Sequence, residues 1–341
     1  MVQLQVTLLL TVLTTFTRLV AAKAGEIGKP SNKQDDDKLR PQFHLTPGKG
    51  WMNDPNGLWY DRKDKIWHAY YQHNKDHNVW NSPISWGHST SKDLVSWDYY
   101  GNALSPKDPG EGYFSGSIVV DRENTSGFFN ESTPKEQRAV AMYTHNTNKE
   151  VQSLAYTLDG GYSWTEYDRN PVIDMNTAQQ RDPKIFWHQD TKKWVMLIAR
   201  TQKYKVQFFT SKNLKDWEHV SDFEMEVENP SKGDGSSHKW VLTLALHPGS
   251  PLGGPLNQYF IGEFDGKRFT PDDHATRLMD YGKDFYSFTT FDSADEEDGP
   301  NLGLAWATNW QYATVVPTEN FRSFELILER ESNFTFWTLY S

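Results

Sequence analysis

The sequence predicts an all-β fold, a β-propeller of about five blades. Three observations carry that expectation. From Pro41 onward there is almost no sustained 3.6-residue apolar periodicity. Short apolar or alternating runs recur instead at 66–71, 139–143, 194–199, 206–210, 240–246, 259–264 and 302–307. Gly, Asn, Asp and Pro clusters separate them, the pattern of strands joined by hairpins. A strand–turn–Trp module also repeats. Ser91-Lys92-Asp93-Leu94-Val95-Ser96-Trp97 returns as Ser211-Lys212-Asn213-Leu214-Lys215-Asp216-Trp217, and more loosely as Thr157-Leu158-Asp159-Gly160-Gly161-Tyr162-Ser163-Trp164. Lys65-Ile66-Trp67, Lys193-Trp194 and Lys239-Trp240 each open an apolar run. Such modules read as radial blades, about five of them, with a β-sandwich of similar strand spacing as the alternative.

The 341 residues are enough for one large domain or two ordinary ones. A formal net charge of −10 argues against general nucleic-acid affinity. The load of 14 Trp, 16 Tyr and 19 Phe argues against disorder. Cysteine is absent, so disulfide frameworks, thiolate zinc sites and a cysteine nucleophile are excluded. The partner these features suit is a neutral, ring-shaped molecule rather than nucleic acid or membrane. Oligomeric state is not legible at this level.

Along the chain, residues 1–22 carry a short apolar stretch (VTLLLTVL) followed by Val20-Ala21-Ala22, and read as a secretory signal peptide. No later apolar run is long enough to span a bilayer. Residues 23–40 are polar and aperiodic, a flexible lead-in; residues 41–330 form the expected propeller. Sequons at Asn124, Asn130 and Asn333 fit a secreted glycoprotein.

Two carboxylates stand in unusual settings. Asp54 lies in Trp51-Met52-Asn53-Asp54-Pro55-Asn56-Gly57, where Pro55 removes a backbone donor and Asn56-Gly57 is expected to turn the chain. Asp182 lies in Arg181-Asp182-Pro183, where the adjacent guanidinium is expected to keep it ionised at low pKa. Either Asp-Pro unit reads as a plain turn starter or as a carboxylate aimed along a propeller axis. The 11 His show no H-E-x-x-H or similar cluster, so neither metal nor cofactor is implied. Gly112-Tyr113-Phe114-Ser115-Gly116 misses the G-x-S-x-G spacing by one, which leaves a serine hydrolase unindicated.

WMNDPNG, Tyr71-Gln72-His73-Asn74, Trp86-Gly87-His88, Phe114-Ser115-Gly116-Ser117 and Arg181-Asp182-Pro183 together resemble the sucrose- and fructan-cleaving enzymes of glycoside hydrolase family 32, its yeast invertase (β-fructofuranosidase) members above all. The motifs run in order from about His44 to Phe324. The resemblance implies a secreted hydrolase that releases terminal β-D-fructofuranose from sucrose or other fructosides, by a retaining mechanism with a covalent intermediate. It implies a five-bladed β-propeller with its active site in an axial funnel, Asp54 as nucleophile and Asp182 as stabiliser of the oxocarbenium-like transition state. Trp51, Asn53, Gln72, Trp80, Phe114, Ser115, Arg181 and Trp310 occupy positions similar to the family's fructose pocket. Core packing remains open for Trp80 and Trp310, and a turn hydrogen bond for Gln72 and Ser115.

Two departures stand against the pattern. The family's acid/base Glu lies in a Glu-Cys-Pro segment, and no such segment follows Trp217. The chain reads EHVSDFEMEVEN there and rejoins the pattern at Lys239-Trp240, as if a short deletion had removed the acid/base strand. Glu224, Glu226 and Glu228 are the substitutes within reach, each otherwise a solvated residue. Residues 331–341 do not match the start of the family's C-terminal β-sandwich. The rival readings are a catalytically impaired carbohydrate-binding propeller and an inulinase or fructan hydrolase.

Overall fold

The repeated turn folds the same way each time it occurs. The computed structural model describes residues 44–224, 239–247, 253–282, 284–293, 302–308, 310, 311, 313 and 326–330. In it, Ser91 Oγ accepts from the Asp93 and Leu94 amides, and Asp93 Oδ1 accepts from those of Val95 and Ser96. In the second copy Ser211 Oγ accepts from Asn213 N, and Asn213 Oδ1 from Lys215 N and Asp216 N. Leu94 and Leu214 both take φ 63°, left-handed backbone that these side-chain bonds hold in place. In the looser copy Asp159 Oδ1 accepts from the Tyr162 and Ser163 amides.

Among the described residues the strands form five antiparallel sheets. The first is β1 (Trp51–Asp61), β2 (Ile66–Asn74), β3 (Ser85–Ser91) and β4 (Trp97–Leu104), paired in chain order. The second is β5 (Gly112–Val120), β6 (Ala139–Asn146), β7 (Glu150–Tyr156) and β8 (Thr165–Glu166). The third is β9 (Arg181–His188), β10 (Lys193–Arg200), β11 (Lys205–Ser211) and β12 (Glu218–Glu224). The fourth is β13 (Trp240–Leu246), β14 (Leu256–Phe264) and β15 (Phe269–Pro271), with β16 (Arg277–Leu278) also on β14. The fifth is β17 (Tyr286–Thr290), β18 (Leu302–Trp306) and β19 (Leu326–Arg330). The repeated turn joins third to fourth strand in three of these sheets, and each sheet is one blade. No helix among the described residues is long and apolar enough to cross a membrane.

β1, β5, β9 and β17 pack against one another around the axis. Apolar residues fill the seams between blades rather than one central core. Trp59, Tyr70, Tyr113 and Tyr143 lie between the first and second, and Met142, Leu154, Trp194 and Met196 between the second and third. Phe186, Phe208, Leu242 and Phe260 join the third to the fourth, and Trp51, Trp67, Leu304 and Trp306 join the first to the fifth.

The Lys-Trp repeat marks second strands. Lys65-Ile66-Trp67 leads into β2 and Lys193-Trp194 begins β10, each beside an axial strand. Lys239-Trp240 leads into β13, which among the described residues has no strand on its axial side. The expected deletion of an axial strand falls at residues 225–238, which lie outside the described residues.

The expected turn at Asn56-Gly57 does not form. Both residues lie inside the eleven-residue β1, because the close seam with β5 keeps the strand extended. A Cβ on Gly57 would stand 2.3 Å from Ile118 Cδ1, so packing rather than turning requires glycine there.

Ring closure rests on Asp292. Its amide donates to Leu58 O, its carbonyl accepts from Tyr60 N, and its Oδ2 accepts from Val120 N at 2.9 Å. Lys184 Nζ, on β9, donates to Thr289 Oγ1 and Thr290 O, and its charge favours the ionised form of Asp292. The Asp292 backbone therefore ties the fifth sheet to the first and its carboxylate ties it to the second, with the charge of Lys184 from the third acting on it. Asp292→Ala is expected to cost about 1–3 kcal/mol, because it leaves the buried Val120 amide without its acceptor. Urea unfolding with an unchanged m-value checks this, and an unaltered midpoint would show the brace to be idle.

Candidate active site

Each of the four described axial strands breaks its regular ladder, and at each break a polar side chain reaches the lining of the axial space. In β1 the register slips on both sides of Pro55, which has no N–H to give to β2. Asp54, immediately before it, leaves the sheet face and points inward. In β5 the slip lies between Phe114 and Gly116, at Ser115. In β17 it lies between Tyr286 and Thr289, where Ser287 takes φ 56°. In β9 Asp182 itself takes φ 61°, opposite a slip between Leu197 and Ala199 of β10. A positive φ at a non-glycine residue before proline is held against a cost of about 1–3 kcal/mol. The Asp182 amide donates to Thr144 Oγ1 at 3.2 Å, part of what holds it.

These bulges bring Asp54, Ser115, Asp182 and Tyr286 to one cavity of about 720 Å³. Below it a smaller space of about 40 Å³, lined by both carboxylates, Ser287 and Thr289, continues down the axis. Ser115 Oγ donates to Asp54 Oδ2 at 2.8 Å, while Asp54 Oδ1 is buried with no hydrogen-bond partner among the described residues. Burial pushes the Asp54 carboxyl above the ordinary aspartate value; the Ser115 bond, with the polar groups of Asn53 and Ser287, opposes it.

Asp182 differs from the sequence expectation. Burial raises it to about 7 against the pull of Arg181, and the nearby charges of Asp54 and Glu150 push the same way. The adjacent guanidinium does pull it down, but the cost of burying the charge outweighs that pull. Arg181 grips Glu150 through two bonds, Nε to Oε2 at 3.1 Å and Nη2 to Oε1 at 2.5 Å.

Of the eight residues expected to bind substrate, Asn53, Gln72, Trp80, Phe114, Ser115, Arg181 and Trp310 line the cavity. Gln72 Nε2 donates to Tyr113 O at 2.9 Å, which aims its amide. Trp80 is 42% exposed at the rim, edge-on to Phe114. Trp51 is the exception: fully buried, it lies behind the wall. Its Nε1 donates to Asn53 Oδ1 at 2.7 Å and its ring stacks on Trp310 at 5.8 Å, so it orients two wall residues.

Sequence reasoning missed Tyr286, Glu150, Gln179 and the β13 edge. Tyr286 lies against both carboxylates, whose charges add to burial in raising its phenol. Glu150 is a buried acid at a strand start, and only strand register shows that it meets Arg181. Leu244, Ala245, Leu246 and His247 face the cavity where an axial strand stands in the other sheets.

Glu224 is turned away, exposed and paired with Lys205 at 3.0 Å; Glu226 and Glu228 lie outside the described residues. No Glu is among the cavity's described lining residues. Asn130 stands exposed, its Oδ1 accepting from Ser132 N and Oγ. Asn124 is half-buried and bonds Phe129 through both side-chain atoms. Asn333 and residues 1–43 are outside the described residues.

Comparison with known proteins places this geometry. The model of the glycosyl hydrolases family 32 N-terminal domain matches residues 44–331. An invertase of Wickerhamomyces anomalus is 54% identical over 340 residues, covering 95% of this chain and 59% of that protein. An extracellular exo-inulinase of Meyerozyma guilliermondii is 52% identical over 299 residues, covering 84% of this chain and 58% of that protein. The structure of a fructofuranosidase from Schwanniomyces occidentalis complexed with fructose superposes with a TM-score of 0.80 at 50% identity, over 85% of this chain and 59% of that one. The chain thus spans less than two thirds of the length of each of these relatives.

Proposed function

Because the chain belongs to glycosyl hydrolase family 32, we propose that it is a β-fructofuranosidase that releases terminal fructose from sucrose with retention of configuration. Asp54 is the nucleophile: its unpartnered Oδ1 is the oxygen free to bond the anomeric carbon, while Ser115 fixes the other. Asp182 stabilises the positive charge that develops on the ring as the bond breaks. Asn53, Gln72 and Arg181 supply donors to fructose hydroxyls, and Trp80, Phe114 and Trp310 supply apolar faces for its C–H surface. Trp51 acts behind them. The observation that carries this reading is the pair of carboxylates on one axial cavity, each delivered by a bulge in a different blade.

The substrate is sucrose first, with inulin-type chains admitted by the open rim at Trp80. Residues 1–22 act as an export signal, 23–40 as a lead-in and 41–330 as the catalytic unit, and the product is a secreted glycoprotein modified at the exposed Asn130. A second reading, binding of fructosides without turnover, draws on the absence of any Glu among the described lining residues. Glucose release from sucrose by the full chain separates the two. Turnover above background, with fructose trapped on Asp54 in a slowed reaction, supports the hydrolase; saturable fructoside binding with no product supports the binding protein.

A further inference from the structure

The geometry points to His247 as the general acid and base of this site, the part that the missing Glu-Cys-Pro glutamate plays in the family; the inference rests on the fructosidase reading. His247 directly follows β13, whose axial edge is uncovered among the described residues, and it lines the same cavity as Asp54 and Asp182. Its ring stands edge-on to Tyr286 at 6.4 Å, and Tyr286 lies against both carboxylates. The other sheets present an axial strand to the cavity; among the described residues of the fourth sheet it is the end of β13 that lines it.

Elimination among the described lining residues leads to the same group. Asp54 from β1 and Asp182 from β9 hold the other two roles. Arg181 is clamped to Glu150, and Arg200 from β10 is a fixed cation. Lys205 from β11 is paired with Asp222 and Glu224, which raise its pKa. Tyr286 from β17 holds its proton too tightly, raised by burial, and Tyr204 stands 89% exposed. That leaves an imidazole, held below its ordinary 6.5 by partial burial, a group that can both give and take a proton.

The step balances. As Asp54 Oδ1 bonds the anomeric carbon, the bond to the glycosidic oxygen breaks and that oxygen takes the proton of the His247 imidazolium, leaving as an alcohol. Neutral His247 then takes a proton from water, whose oxygen bonds the anomeric carbon and releases the Asp54 carboxylate. Productive enzyme needs both raised carboxylates ionised while the lowered imidazole is protonated, a minority form at every pH. Sucrose turnover is therefore slow, with a narrow bell-shaped pH profile.

The test compares the full wild-type chain with His247→Gln, His247→Asn, Glu226→Gln and Glu228→Gln on sucrose and on 4-nitrophenyl β-D-fructofuranoside. Both His247 variants are expected to lose about 10²–10⁴-fold on sucrose, with the alkaline limb of the profile removed. Both should keep the nitrophenol burst, whose leaving group needs no proton. Azide, a nucleophile needing no base, should then speed their turnover and leave the wild type unchanged. Equal sucrose turnover by wild type and His247→Gln overturns the assignment, as does loss confined to Glu226→Gln or Glu228→Gln. Cleavage of the aryl fructoside alone, at equal rates and without azide rescue, overturns it too while the fructosidase reading stands. Failure to cleave either substrate ends both.

Discussion

Asp54→Ala should remove fructoside turnover by on the order of 10⁴-fold or more, measured on the aryl fructoside so that leaving-group protonation does not limit the signal. The covalent route needs an oxygen at Oδ1, and neither neighbour replaces it. Ser115 would lose the acceptor for its hydroxyl, and Asp182 reaches the cavity from another blade through its own bulge. The fold should survive. A carboxyl pushed up by burial costs stability while ionised, so its removal is expected to leave the unfolding midpoint at neutral pH unchanged or higher. Retained turnover in a folded variant would take Asp54 out of the mechanism.

Asp182→Asn has two expected results of opposite sign. Turnover falls by about 10²–10³-fold, since a neutral amide cannot answer the charge on the oxocarbenium-like ring. Stability moves the other way above neutrality. The folded carboxyl titrates at about 7 against an ordinary 3.8, so the native state holds that proton more tightly than the unfolded chain. Its contribution is full below the unfolded value and is lost as pH rises through 7. Wild type should therefore lose stability between about pH 4 and pH 8 relative to Asp182→Asn, which lacks the titration. Thermal melts at both ends of that range measure it, and parallel curves for the two proteins would show that Asp182 is not perturbed. Activity follows the same group, falling on the acid side as the carboxylates take up protons.

Much of this protein is written in short windows. The Ser-x-Asp and Ser-x-Asn turns, the Lys-Trp starts and the runs at 66–71 or 240–246 were legible because each depends on side chains bonding amides two or three residues away, or on apolar runs between turn residues. Asp54 and Asp182 stood out for the same reason, since a proline next to an aspartate disturbs a strand locally. The Asn56-Gly57 turn failed as an expectation because a seam against Ile118 outweighed local turn preference. The pKa of Asp182 and the place of Trp51 had no local signal at all. The first depends on how deeply the ring of blades buries the carboxyl, beside the charges of Asp54 and Glu150, and the second on which face of β1 the first-to-fifth seam covers. The sequence alone could specify strands, turns and two marked carboxylates, because those are contests between near neighbours. Which groups share the cavity, which of them keep their protons, and that His247 lines it from the end of β13 are consequences of register and ring closure, which join residues that no window contains.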